Sequence, residues 1–183
     1  AVFSDITVTE AISIVNPGGA IYKTGNGDLE IASTSFLNNM ATRGAAIYID
    51  ALEGTNNTIT GAEGIGMANN TASSSGGAIF KTGPGAFNLN SIALTANEAP
   101  YGGAIYIGSP HSEEESPSVG EQVFNDVVVT ENHATESGGG LYNSLYPENP
   151  LTIERSFISS NIADDGEDNI HNVNGDEAIV NIE

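Results

Sequence analysis

The sequence has no cysteine, no tryptophan and only four basic residues among 183. Without cysteine there can be no disulfide, no thiolate metal site and no thiol nucleophile. The four Lys and Arg residues face 24 Asp and Glu residues, which gives a formal net charge of −20. Contact with nucleic-acid phosphates depends on clustered Lys and Arg, so nucleic-acid binding is not expected.

Long apolar runs are also missing. None approaches the roughly 20 residues of a membrane span, so we expect no membrane insertion. Apolar residues nevertheless make up 39% of the chain, which is enough for the packed core of one domain.

A glycine-rich segment recurs along the chain. It reads GGAIY (18–22), GAAIY (44–48), GGAIF (76–80), GGAIY (102–106) and GGGLY (138–142), with a degenerate sixth copy, GEDNI (166–170). The glycines argue against helix and mark a tight corner that other residues cannot adopt. The first glycines of the five copies are Gly18, Gly44, Gly76, Gly102 and Gly138.

A second repeated slot precedes each copy after the first. It has an apolar residue, two variable residues, Asn, one variable residue and Ala: FLNNMA (36–41), MANNTA (67–72), LTANEA (94–99), VTENHA (129–134) and ISSNIA (158–163). A repeated Asn at a turn can hydrogen-bond to the Asn of the next coil and so form an internal ladder. The ladder residues are Asn39, Asn70, Asn97, Asn132 and Asn161.

Short alternating runs between these slots, such as DLEIAS, FNLN and LTIE, read as strands separated by turns. Units of this length with several strands and no helical period predict an all-β parallel β-helix of about six coils. We expect one domain over residues 1–183. The Pro-, Ser- and Glu-rich insertion at about 108–122 is expected to be a flexible exposed loop.

Alternation within AIY predicts an inward Ile series and an outward aromatic series. The aromatic series is Tyr22, Tyr48, Phe80, Tyr106 and Tyr142, and His171 ends it. Stacked rings could bind a sugar or a neighbouring protein, or they could stabilise the sheet itself. The second alternative is favoured.

The pairing of GGAI with an F-x-x-N element (Phe36 to Asn39) resembles the repeats of chlamydial polymorphic membrane proteins and related bacterial right-handed β-helix proteins. This resemblance implies a right-handed parallel β-helix at a cell surface, often with an adhesive role.

One cluster of oxygen ligands is dense enough to suggest Ca²⁺, although it lacks the EF-hand spacing. It consists of Asp164, Asp165, Glu167 and Asp168, and the alternative is a solvated acidic turn. No other cofactor is expected. Polysaccharide-cleaving β-helices need clustered carboxylates beside a basic residue. Asp164 and Asp165 are adjacent, but no Gly-His-Gly or paired basic motif accompanies them, so we expect no enzyme.

The function expected is therefore that of a secreted or cell-surface β-solenoid with a structural or adhesive role and a host-surface or glycan partner. The alternative is a carbohydrate-binding or polysaccharide-cleaving β-helix module, which rests on fold analogy. AVFSDITVTE (1–10) aligns with QVFNDVVVTE (122–131), and IHNVNGDEAIVNI (170–182) follows the course of IYKTGNGDLEIA (21–32). Both ends thus fall near one point of the repeat, which predicts head-to-tail self-association into a filament. The alternative is a surface passenger segment cut from a longer solenoid, in which the matching ends reflect only where the segment was cut.

Overall fold

The computed structural model describes residues 1–62, 66–108, 120–145, 150–173 and, for the backbone only, 179–182. These residues form 24 short strands and connecting turns, with no helix among them. Accordingly, none of the described residues belongs to a helix long and apolar enough to cross a membrane.

The chain winds through an incomplete first coil, five complete coils of four strands, and a final strand. The first coil contains β1 (Val2–Ser4), β2 (Thr7–Thr9) and β3 (Ile21–Lys23). The complete coils contain, in chain order, β4 (Leu29–Ala32), β5 (Ser35–Leu37), β6 (Met40–Arg43) and β7 (Ile47–Asp50); β8 (Asn56–Thr60), β9 (Gly66–Ala68), β10 (Thr71–Ser75) and β11 (Ile79–Thr82); β12 (Ala86–Asn90), β13 (Ala93–Thr95), β14 (Glu98–Tyr101) and β15 (Ile105–Ile107); β16 (Gln122–Asn125), β17 (Val128–Thr130), β18 (His133–Ser137) and β19 (Leu141–Asn143); β20 (Leu151–Glu154), β21 (Phe157–Ser159), β22 (Ile162–Ala163) and β23 (Ile170–Asn172). The final strand is β24 (Ile179–Ile182).

Equivalent strands of successive coils pair in parallel and build four sheets. Sheet 1 has the order β1-β4-β8-β12-β16-β20-β24, and sheet 2 has the order β2-β5-β9-β13-β17-β21. Sheet 3 has the order β6-β10-β14-β18-β22, and sheet 4 has the order β3-β7-β11-β15-β19-β23. The first coil joins sheet 3 through a single bridge, Ile12 to Met40. The prediction of an all-β parallel β-solenoid is confirmed, with five complete coils.

The core lies inside the four sheets. The Ile series of sheet 4 points inward, and Ile47, Ile79 and Ile105 are fully buried. Across the solenoid they meet the inward residues of the other sheets, among them Phe36, Phe87 and Phe124. Each coil therefore contributes the same few inward positions to one continuous apolar core.

The asparagine slot forms a buried ladder at the turn between sheets 2 and 3. Asn70, for example, donates from its backbone N–H and from Nδ2 to Oδ1 of Asn97, at 3.0 and 2.9 Å. Asn39, Asn97 and Asn132 repeat this pattern toward the next coil. The ladder ends at Asn169, whose Oδ1 accepts from both nitrogens of Asn161.

The paired glycines form the corner between sheets 3 and 4. Gly76 has φ +62°, in the left-handed region that favours glycine. Gly77 lies so close to the neighbouring coil that a Cβ there would clash with the carbonyl oxygen of Gly103. The two glycines thus serve different needs: the first supplies the backbone turn and the second permits the coils to approach.

Length variation is concentrated in the turn between sheet 4 and the next sheet 1. This turn is as short as residues 83–85 between β11 and β12, and as long as residues 108–121 between β15 and β16. The flexible loop predicted at about 108–122 falls here, and its residues 109–119 lie outside the described part of the chain.

Candidate functional site

The aromatic series forms one column on the outer face of sheet 4. Strand register places its members directly over one another, in the order Tyr22, Tyr48, Phe80, Tyr106, Tyr142 and His171. Ring centroids are 4.7 to 5.2 Å apart and neighbouring rings are tilted by 2° to 16°. The spacing equals that of the strands, so each coil adds one ring to the column.

This stacking determines what the column can offer to a ligand. Because each inner ring is covered on both faces by its neighbours, solvent meets ring edges and phenolic hydroxyls rather than ring faces. Tyr22, at one end, is 57% exposed. A sugar that stacks on an aromatic face would therefore find that surface at the end of the column, not along its length.

The middle of the column is covered from outside as well. The Arg43 guanidinium lies 5.4 Å from the centre of the Phe80 ring, in cation–π geometry. Phe80 is only 7% exposed as a result. Phe80 therefore lies in the outer column with little of its ring in contact with solvent. Burial also raises the pKa of the Tyr48 and Tyr142 hydroxyls.

The acidic C-terminal coil distributes its carboxylates among separate partners. Asp164 Oδ1 pairs with His133 Nε2 at 3.0 Å, in the coil before. Asp168 Oδ1 accepts from the backbone N–H of Ala163 at 2.9 Å. The backbone N–H of Asp165 donates to the carbonyl of Glu136. No group of three or more His, Asp or Glu side chains suited to a metal ion occurs among the described residues. The calcium site at Asp164, Asp165, Glu167 and Asp168 stays a prediction.

Glu167 takes part in a contact that superficially resembles a catalytic triad. Its Oε2 contacts His171 Nδ1, and the Ser137 hydroxyl lies 2.8 Å from the same Nδ1 and 3.1 Å from Glu167 Oε2. A proton relay requires the hydroxyl and the acid on opposite nitrogens of the ring. Here both meet Nδ1, so the geometry is not that of a nucleophile and its base. The hydrogen bond from His171 lowers the pKa of Glu167.

Lys81 is a buried ammonium that the sequence analysis did not single out. It is 0% exposed, in the inward position of sheet 4 between Ile49 and Ile107. Its Nζ donates to the carbonyl of Gly83 at 2.6 Å. Burial lowers its pKa from 10.5 to about 7, against an opposing effect of the Asp50 carboxylate. The signal was present in the sequence, since alternation in AIFK places Lys on the same side as Ile.

A groove of about 600 Å³ crosses the outer face of sheet 2. Its floor consists of small outward residues, Gly66 and Ala68 in one coil and Ala93 in the next. Leu37 borders it in the coil before and Val128 in the coil after. Sequence analysis missed this groove because it depends on which residues of different coils lie side by side.

Comparison with known proteins supports the repeat assignment. The family model of the Chlamydia polymorphic membrane protein repeat matches residues 67–82 and 126–144. Each matched stretch contains one asparagine slot (Asn70, Asn132) and one glycine corner (Gly76, Gly138). The resemblance to these repeats is thereby confirmed. No curated protein and no solved structure matches the chain.

Proposed function

We propose that this chain, whose repeats are of the polymorphic membrane protein type, is a structural or adhesive β-solenoid of a cell surface. We also propose that copies of the chain stack head to tail into a filament. The family-model match supports the surface association. Stacking of copies is supported by the way the solenoid is built, since each coil pairs with the next through parallel strands at equivalent positions.

The main support for this proposal lies at the end of the solenoid that the first coil forms, on the side away from the second coil. A cavity of about 370 Å³ opens there, lined by apolar residues of the core, among them Phe3, Val8 and Ile21. Ile6 borders the same cavity and is 42% exposed. In later coils the equivalent positions are covered by the preceding coil. A further parallel coil laid on this side would bury them in the same way.

The edges of sheet 1 are compatible with such stacking. β1 lies at one edge of this sheet and β24 at the other, and all strands between them run in the same direction. The β24 strand of one copy can therefore pair in parallel with β1 of the next. Because this contact is heterologous and does not close, repeated stacking gives a filament.

Electron microscopy and sedimentation of the purified chain over increasing salt test the proposal. The net charge of −20 opposes association, so filaments should lengthen as salt rises and the Debye length falls from about 30 Å at 0.01 M to about 8 Å at 0.15 M. Ile6→Asp should abolish them. Leu52→Asp is the matched control, because Leu52 is 39% exposed and lies in a turn between sheets 4 and 1. A chain that stays monomeric at every salt concentration, or filaments that persist in Ile6→Asp, would contradict the proposal.

A further inference from the structure

Side-chain size increases steadily along one outward column of sheet 2. In four successive coils the first residue of the strand is Gly66, Ala93, Val128 and Phe157, and strand register places each directly beside the next. We call the column of these four residues the size ramp, and the groove of about 600 Å³ lies at its end with small side chains. At the large end, Val128 is 40% exposed and Phe157 is 59% exposed. One face of the solenoid thus has a hollow and a protrusion of matching chemistry.

We propose that two copies of the chain bind each other laterally through sheet 2, with their solenoid axes antiparallel. In this arrangement Phe157 of each copy occupies the groove over Gly66 of the partner subunit. Val128 of each copy packs on Ala93 of the partner subunit. The size ramp is complementary to a second copy of itself only when the two solenoid axes are antiparallel, because each large residue then faces a small one.

The symmetry of this contact follows from the strand order. A two-fold axis parallel to the strands, passing between β13 and β17, exchanges β13 with β17 and β9 with β21. The strands of both copies keep the same direction under this rotation, so each position faces its equivalent position in the exchanged coil. The interface is isologous and closes at two copies, unlike head-to-tail stacking.

Charge distribution favours a second copy as the occupant. The first and third residues of all six strands of sheet 2 are uncharged, although the chain carries a net charge of −20. At the edges, the same exchange of coils sets Asp126 opposite Ser91 and Glu131 opposite Ala96. Among the described residues of these turns, no acid lies directly opposite another acid. Asp126 of one copy lies about one strand spacing along the axis from Asp126 of the other, and its ion pair with Arg155 offsets part of that repulsion. This face can therefore approach a copy of itself at a lower electrostatic cost than the more acidic parts of the surface.

The area available indicates a weak association. Four strands at about 4.8 Å spacing and three residues at about 3.3 Å each give a strip of about 19 by 10 Å. With the turns at both edges, the two copies bury on the order of 800 Å², below the roughly 1,200 Å² of standard stable interfaces. We therefore expect a dimer that forms reversibly, with a dissociation constant of about 10 μM or weaker.

Sedimentation equilibrium over a concentration series measures this association. Phe157→Asp should weaken it by about tenfold or more, because a carboxylate would be buried in the apolar groove. Ile162→Asp is the matched control: Ile162 belongs to the same coil, is 60% exposed and lies on sheet 3. It should dimerise like the wild type, and so should Ile6→Asp, which affects only head-to-tail stacking. Equal loss in Phe157→Asp and Ile162→Asp, or a wild type that shows no dimer, would overturn the proposal.

Cysteine cross-linking tests the direction of the contact, and the absence of native cysteine makes it specific. Ala68→Cys and Ser159→Cys, at the third positions of β9 and β21, are prepared as separate chains, mixed and oxidised. The antiparallel arrangement sets these two positions opposite each other and keeps identical positions about 14 Å apart, three strand spacings, so it predicts a disulfide between the two different chains and little between identical ones. Homodimers of Ala68→Cys with no mixed product would show that the copies run in the same direction and would refute the proposed geometry.

Discussion

Replacing Lys81 by Met should stabilise the protein at neutral pH. The Lys81 side chain is fully buried between Ile49 and Ile107, and its Nζ has the carbonyl of Gly83 as hydrogen-bond acceptor. Met has a similar length and no charge, and its flexibility suits an irregular space in a core. The substitution therefore removes a buried ammonium without leaving a large cavity.

The magnitude follows from the pKa of this group. In the folded chain the pKa of Lys81 is lowered from 10.5 to about 7. Between these values the unfolded chain binds more protons, so the free energy of unfolding rises with pH. One pKa unit corresponds to about 1.36 kcal/mol, so the shift lowers the free energy of unfolding at pH 7 by about 4 kcal/mol relative to a lysine with an ordinary pKa. The free energy of unfolding of the wild type should rise by about 2 kcal/mol between pH 7 and 9. Loss of the Gly83 hydrogen bond offsets about 1 kcal/mol, which leaves Lys81→Met about 3 kcal/mol more stable at pH 7.

Urea denaturation of both proteins at pH 7 and pH 9 measures these differences. Lys23→Met is the matched control, since Lys23 has the equivalent position in the first coil and donates to the carbonyl of Gly25. Lys23 is 9% exposed and burial lowers its pKa, so its replacement should stabilise less. If the advantage of Lys81→Met at pH 7 were absent, or failed to shrink at pH 9, the reasoning from the buried charge would be refuted.

Three further substitutions test other parts of the fold. Asn97→Ala should reduce the free energy of unfolding by about 3 kcal/mol or more, because it leaves the buried amide groups of Asn70 and Asn132 without their hydrogen-bond partner. Asn88→Ala, on the outer face, should change it by about 0.5 kcal/mol or less, and urea denaturation measures both. Gly77→Ala should lower the melting temperature sharply through the clash with the next coil, while Gly27→Ala, where a Cβ meets nothing within 4 Å, should leave it nearly unchanged. Glu167 has a lowered pKa, so its contribution to stability is present above the unfolded pKa of about 4.3 and is lost as the pH falls through the folded value. Glu167→Gln should melt below the wild type at pH 6, and a difference that does not shrink as the pH is lowered from 6 to 3 would contradict this.

The fold was predictable because the repeated slots constrain the backbone. A left-handed corner at Gly76, contact between coils at Gly77 and a buried amide at Asn97 each admit few residue types. Selection of the same residue in coil after coil therefore leaves a visible pattern. The inward Ile series was predictable for a related reason, since alternation assigns it to one face of each strand.

The surface was less predictable, because it depends on contacts between coils. Phe80 belongs to the outward series, yet Arg43 from sheet 3 covers its ring. Asp164 and Glu167 look like a local cluster in the sequence, yet Asp164 pairs with His133 of the preceding coil, and Glu167 contacts Ser137 of that coil besides His171 of its own. Neither contact can be inferred until the strand register between coils is known.

This difference between inside and outside indicates where specificity lies in the molecule. Inward positions must match the coil above and below, so they change little, as the Asn ladder shows from Asn39 to Asn161. Outward positions do not pack in this core. Some of them contact the next coil, as the stacked rings of sheet 4 do, but an increase in side-chain size from coil to coil gives no such stacking. The increase from Gly66 to Phe157 runs across strands whose inward residues are all apolar and buried or partly buried. A gradient confined to the outer face, on an uncharged strip of an acidic chain, therefore points to recognition rather than to stability of the solenoid.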